Sequence, residues 1–344
     1  MHRSAKYLYI IGGCALAAER EPIRSIERIR IESVENSSPP LVKIVSENYG
    51  NLSIPRRSPS CFLLENEILV AGGCTGPNEH TDTIELMKIR EEEIISKILE
   101  QKLDIGASCS GFDPETQGPF KPIFGGFEAH ACLDDIQIID TTNWKCKKLP
   151  KKLPKIKNST VLQVGNREFV IFGGWEDEQR TTKAIRRITF NEDFSDYTVE
   201  FGGFLPYPVE GQSMVPIGSS VLLIGGFDGC FVLDTIIRYD LKTRKSEILP
   251  QKLDGKRENH VSAVLGRFLV VAGGWNSRNS LDDVEVFEIQ KTDSEGKFDL
   301  ERCQVQGKLL TARNRPTGVP FQFFSSFFGA QCSITDKPVL FCDL

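Results

Sequence analysis

The sequence predicts an all-β fold, a six-bladed β-propeller formed by one domain. Three observations carry that prediction. A short apolar run ending in Gly-Gly recurs six times along 344 residues. A second strand-like run precedes most of these pairs, and an acidic turn with a third strand follows several of them. The composition leans the same way, with 22 Phe and 29 Gly against 3 Met and few helical patterns.

The Gly-Gly runs are Tyr7–Gly13, Glu67–Gly73, Lys121–Gly126, Phe169–Gly174, Val221–Gly226 and Phe268–Gly274. Their second glycines are spaced by 60, 53, 48, 52 and 48 residues. A period near 50 with several strands per unit is the signature of a propeller. Glycine suits the end of each such strand, because it tolerates positive φ and lets neighbouring backbones approach. None of the pairs belongs to a GxGxxG or GxxxxGK[ST] loop, so no phosphate cradle is expected.

Taken in order, the units are 7–54, 55–104, 105–155, 156–206, 207–252 and 253–310. Unit six is the plainest: RENHVSAVLGRFLVVAGG at Arg257–Gly274 reads as two strands joined by a turn. Pro55–Gly73 of unit two matches it. Third strands are clear at Leu133–Asp140, Leu233–Asp240 and Leu281–Glu288, where apolar residues alternate with others as in half-buried strands. Fourth strands are clear at Thr141–Pro150, with Trp144 as an inter-blade filler, and at Lys242–Pro250. In unit two, Arg90–Leu103 supports two readings. It is either a short helix, with Ile94, Ile95, Ile98 and Leu99 at helical spacing, or a fourth strand.

These repeats resemble the kelch family, and the resemblance covers nearly the whole chain. The repeats diverge from the family pattern. Trp144 is the only Trp at the fourth-strand position, Tyr239 is one of few matching Tyr, and Trp175 and Trp275 follow Gly-Gly directly. The six residues before Tyr7 leave no room for an innermost strand in unit one. The resemblance to BTB-kelch proteins implies that a C-terminal strand, 316–323, fills that place. Closure of this kind removes sheet edges and ties the termini together. The tail, 324–344, offers the alternative of a partial seventh blade.

Charge and composition narrow the function. The net charge is −5, which argues against a nucleic-acid binder acting through bulk electrostatics. No run of about 18 apolar residues suggests a spanning helix. Ten Cys without CxxC spacing read as reduced thiols of a cytoplasmic protein. The alternative is a secreted protein, if residues 1–18 are a signal peptide. In that case the sequons at Asn36, Asn51 and Asn158 would matter. His80, His130 and His260 lie on separate units with no ligand rhythm, and no metal or other cofactor is expected.

Candidate binding residues fall on two loop sets. After Gly-Gly stand Phe127, Trp175 with Glu176, Phe227 with Asp228, and Trp275 with Asn276 and Arg278. Four aromatics in successive units point to a face for a protein or peptide partner. Ahead of the innermost strands stand Arg57, Arg257 with Asn259, and Arg315. Similarity to adaptor kelch domains makes these arginines candidates for gripping acidic peptides, since a guanidinium fork matches a carboxylate. With Glu176 and Asp228 nearby, the face should be mixed in charge.

The sequence therefore points to a non-enzymatic interaction module, a scaffold or adaptor with no catalytic residues. The resemblance implies partners such as a cullin ligase component or a cytoskeletal protein. Because the chain starts inside the first blade, an adaptor of that kind would be a fragment or a stand-alone relative. Two alternatives stand beside it: a sugar-acid enzyme of the kelch mutarotase type, and an actin-binding kelch protein.

Overall fold

The structure is a computed structural model. It describes residues 5–15, 21–34, 37–90, 94–176, 180–291 and 298–322. All regular elements among them are strands, and each Gly-Gly run forms a strand that ends at its glycines. Five of these strands sit second in their sheets; Phe120–Phe124 is the first of its sheet. They are buried nearly throughout because both faces pack against neighbouring sheets.

Six sheets dominate the described residues, antiparallel except where Gln304–Gln306 joins Leu41–Asn51 in parallel. In blade 2, Ser60–Leu64, Glu67–Ala71, Thr83–Ile89 and Ile94–Lys102 run from axis to rim. Blades 4, 5 and 6 repeat this order, beginning at Thr160, Ser213 and Val261. In blade 1 the innermost strand is Thr317–Phe321, paired with Tyr7–Ile11 from the other end of the chain. The expected C-terminal closure is therefore present. The tail that a seventh blade would require lies outside the described residues. Arg90–Leu103 contains a strand, Ile94–Lys102, and no helix is described there. Its isoleucines pair along Thr83–Ile89 instead of lining one helical face.

Blade 3 departs from the pattern. Phe120–Phe124, Ile136–Asp140 and Lys145–Lys148 form a three-stranded sheet. Its innermost position is irregular backbone, bridged to Phe120–Phe124 where Gly111 and Phe124 exchange two 2.8 Å bonds. Lys121 is buried here, at a position where the other five blades carry Leu8, Ile68, Phe169, Val221 and Leu269. Its ammonium donates to the Thr116 carbonyl. Asp113 accepts the Glu115 and Gln163 amides at 2.9 and 2.8 Å.

Two sets of backbone bonds join the blades. Each second glycine donates to the next blade; for example, Gly73 N bonds Ala107 O at 2.7 Å and Gly274 N bonds Arg313 O at 2.7 Å. Gly72 shows why glycine is required. Its φ is +67°, and a Cβ there would lie 2.5 Å from the Ala107 carbonyl oxygen. The second set is a closed ring around the axis. Ser58 N bonds Arg315 O, Arg315 N bonds Asn259 O, and Asn259 N bonds Gly211 O. Gly211 N then bonds Asn158 O, Asn158 N bonds Cys109 O, and Cys109 N returns to Ser58 O, all within 2.7–3.3 Å.

Candidate functional site

The ring sets the site. Its six members all hold left-handed backbone, with φ between 48° and 61°. That conformation is uncommon for residues other than glycine, and five of these six are not glycine. The turn aims the preceding residue of each blade at the mouth of the channel. Those preceding residues are Asn314, Arg57, Ser108, Lys157, Glu210 and Glu258. Each bridges to the residue that follows Gly-Gly in the same blade: Cys14, Cys74, Phe127, Trp175, Phe227 and Trp275 respectively. The result is one tier around the axis. Blades 3 to 6 supply aromatics to it, and blades 1 and 2 supply thiols.

The mouth encloses a cavity of about 500 Å3. Arg57, Phe127, Asn259, Trp275 and Arg315 of the expected set line it. Trp175 joins them through Lys157, whose Nζ stands 4.3 Å from the Phe127 ring centre and 5.4 Å from that of Trp175. Such cation–π contacts fix the aromatics while leaving them half-exposed. Phe227 holds its tier position against Glu210 in both directions, at 2.9 and 2.8 Å.

Charge at the mouth is mixed. Arg57, Lys157 and Arg315 face Glu210 and Glu258. Burial pushes both carboxyls above their ordinary range, and the nearby Arg315 only partly offsets it. Asn158 Nδ2 donates to Glu210 at 2.7 Å, and Asn259 Nδ2 donates to Glu258 at 3.0 Å.

Arg257 is a correction. It is fully buried and does not reach the mouth. Its guanidinium donates to Gly273 O at 3.0 Å, to Glu285 at 2.6 Å and to Asp283. Arg56 and Arg313 repeat this staple in blades 2 and 1, against Glu85 and Glu27. The residue one place later in the chain is the one that faces the cavity. Sequence alignment by the shared Arg therefore merged a structural position with a binding position.

The remaining candidates lie outside the tier. Glu176 is paired with Arg186. Asp228 accepts the Cys230 and Phe231 amides, both at 2.7 Å, and shapes its own turn. Asn276 does the same for Arg278 and Asn279 at 3.0 and 2.8 Å, leaving the Arg278 side chain on an exposed turn. Among the described residues, no three His, Cys, Asp or Glu side chains are grouped to hold an ion. Sequence reasoning missed Lys157, Glu210, Glu258, Cys109 and Cys14 at the mouth. Their signal was the offset from the ring positions, which only the closed ring makes visible.

A family model described as the kelch motif matches residues 210–252, which begin at the mouth residue Glu210 and span blade 5. Blade 5 thus carries a kelch motif within a β-propeller fold. The propeller superposes on a solved structure titled "Structure of YjhT" with a TM-score of 0.59 at 10% identity. The match covers 88% of this chain and 98% of that one. A likeness of that degree concerns the fold alone. In sequence, 113 residues are 30% identical to the Rho GTPase-activating protein gacHH of Dictyostelium discoideum. They make up 31% of this chain and 7% of that protein. The matching stretch thus spans a small part of that relative's length.

Proposed function

We propose that this propeller is a non-enzymatic scaffold or adaptor that takes a protein or peptide segment across its channel mouth. The observation that carries the reading is the tier itself: Phe127, Trp175, Phe227 and Trp275 stand half-exposed beside Arg57, Lys157 and Arg315. Aromatics and arginine around a mixed-charge cavity are typical anchors of protein interfaces. The gacHH protein carries its matching stretch as 7% of its length, which suits a module that works beside other activities. Ten Cys without CxxC spacing suit a cytoplasmic setting. A cullin ligase component and actin are the first partners to try.

The test compares the full chain with a Trp175→Ala/Trp275→Ala/Arg57→Ala variant whose melting matches the parent. Partners captured by the parent are identified by mass spectrometry, and the strongest is then titrated in purified form. A loss of affinity of tenfold or more in the variant supports the mouth as the docking face. Equal affinity moves the site elsewhere on the propeller.

A further inference from the structure

Three thiols line the mouth cavity, Cys14, Cys74 and Cys109, and one is held differently from the other two. Cys14 donates its S–H to the Asn314 carbonyl at 3.5 Å, and Cys74 donates to the Gly76 carbonyl at 3.0 Å. Each needs its proton for that bond. Cys109 has no such acceptor among the described residues. Its sulfur receives the Arg315 guanidinium at 2.9 Å and the Ser108 hydroxyl at 3.7 Å, with Ser58 a further donor. A sulfur surrounded by donors alone, one of them a guanidinium, is arranged as a thiolate. Burial by itself would push the thiol up. Arg315, the two serines and Lys157 outweigh it and hold Cys109 below its ordinary value.

The cavity also selects a reagent. Arg57, Lys157 and Arg315 supply positive charge to it against Glu258 and the nearby Glu210. About 500 Å3 is room for part of a small peptide. His80 lies at its edge, with Nδ1 accepting the Ala129 amide at 3.4 Å.

We propose that Cys109 is a modification site, a thiolate that undergoes exchange with a small anionic disulfide such as glutathione disulfide. The Cys109 sulfur attacks one sulfur of the disulfide, and a new S–S bond forms as the old one breaks. The departing glutathione leaves as a thiolate and takes a proton from water. Cys109 is oxidised, and the released half of the reagent is reduced. The inference concerns covalent chemistry and stands apart from partner binding.

The full chain is treated with glutathione disulfide, and separately with iodoacetamide, from pH 6 to 8.5. Peptide mass spectrometry follows Cys109 against Cys230, which is exposed and serves as the internal reference. Below pH 8 an ordinary thiol speeds up about tenfold per pH unit, whereas a preformed thiolate is nearly flat. The expected result at pH 6.5 is that both probes modify Cys109 at least about fivefold faster than Cys230, with a flat profile. Arg315→Gln should slow Cys109 by about fivefold or more and restore the climb with pH, and Arg315→Lys should keep it flat. If Arg315→Gln does not fold, the parent profile decides. A Cys109 rate that climbs in parallel with Cys230 overturns the thiolate. Labelling by iodoacetamide without glutathionylation overturns the exchange.

Discussion

The Ser58 amide donates to the Arg315 carbonyl at 2.9 Å and so closes the ring between two residues 257 positions apart in the chain. That bond joins blade 2 to the C-terminal strand of blade 1, at the seam of the propeller. Both residues must hold a positive φ, 48° at Ser58 and 57° at Arg315. A β-branched residue is poorly suited to that conformation. Ser58→Val should therefore lose about 1 to 3 kcal/mol in urea unfolding. Ser58→Gly should stay within about 1 kcal/mol of the parent. Equal losses in both would mean that the hydroxyl matters and the backbone does not.

Adjacent arginines in blades 2 and 6 do different work. Arg257 is buried and bonds the Gly273 carbonyl, Asp283 and Glu285. Arg57 lies at the cavity, with Nη2 donating to the Cys74 sulfur at 3.2 Å. Removing one partner of a buried pair leaves a charge without compensation. Arg257→Met should cost about 3 to 5 kcal/mol, measured by denaturant midpoint. Arg57→Met should cost under about 1 kcal/mol and weaken partner binding instead.

The fold was legible because each blade must end its second strand where backbones converge, and only glycine fits there. The repeat of Gly-Gly therefore reads directly as a repeat of geometry. The lack of an inner neighbour for Tyr7 was legible, and the resemblance to BTB-kelch proteins implied the C-terminal strand that fills the place. The site was only half legible. Phe127, Trp175, Phe227 and Trp275 stand out in the sequence as a set, and the tier confirms that they share one level. The same positions in blades 1 and 2 are Cys14 and Cys74, which read as ordinary cysteines until the tier is seen. Arg257 misled because Arg56, Arg257 and Arg313 share a position that is structural wherever a Glu on the third strand faces it. In blade 5 both places are apolar, Val209 and Ile237, so the pair is kept or lost as a unit.

Glu258 tests the electrostatics of the mouth. Burial raises its carboxyl above the unfolded value of about 4.3, so the native state binds a proton that the unfolded chain has released. Stability must fall as pH rises through that window, and the cost persists above it. Glu258→Gln removes the cost and keeps an oxygen for the Asn259 amide. The melting temperature of the variant relative to the parent should therefore rise between pH 4 and the raised value, then level off. A difference that is constant with pH would place Glu258 in balance with Arg315.

Lys121 carries the clearest conflict between the repeat and the residue. Five blades bury an apolar side chain where blade 3 buries an ammonium, which burial lowers to about 8. Asp113 is the compensating charge, and it also accepts the Glu115 amide of the segment that replaces the innermost strand and the Gln163 amide of blade 4's innermost strand. Removing Asp113 strands all three groups, whereas removing the lysine leaves a carboxylate that still accepts two amides. Asp113→Ala should thus cost about 3 to 5 kcal/mol, and Lys121→Met less than half of that. The pH dependence has a definite sign. An unfolded lysine holds its proton to about 10.4, while native Lys121 releases it near 8, so this group makes stability rise with pH between those values. Urea midpoints from pH 7 to 10 should climb less in Lys121→Met than in the parent. Parallel curves would show that Asp113 and Thr116 hold the ammonium charged across the whole range.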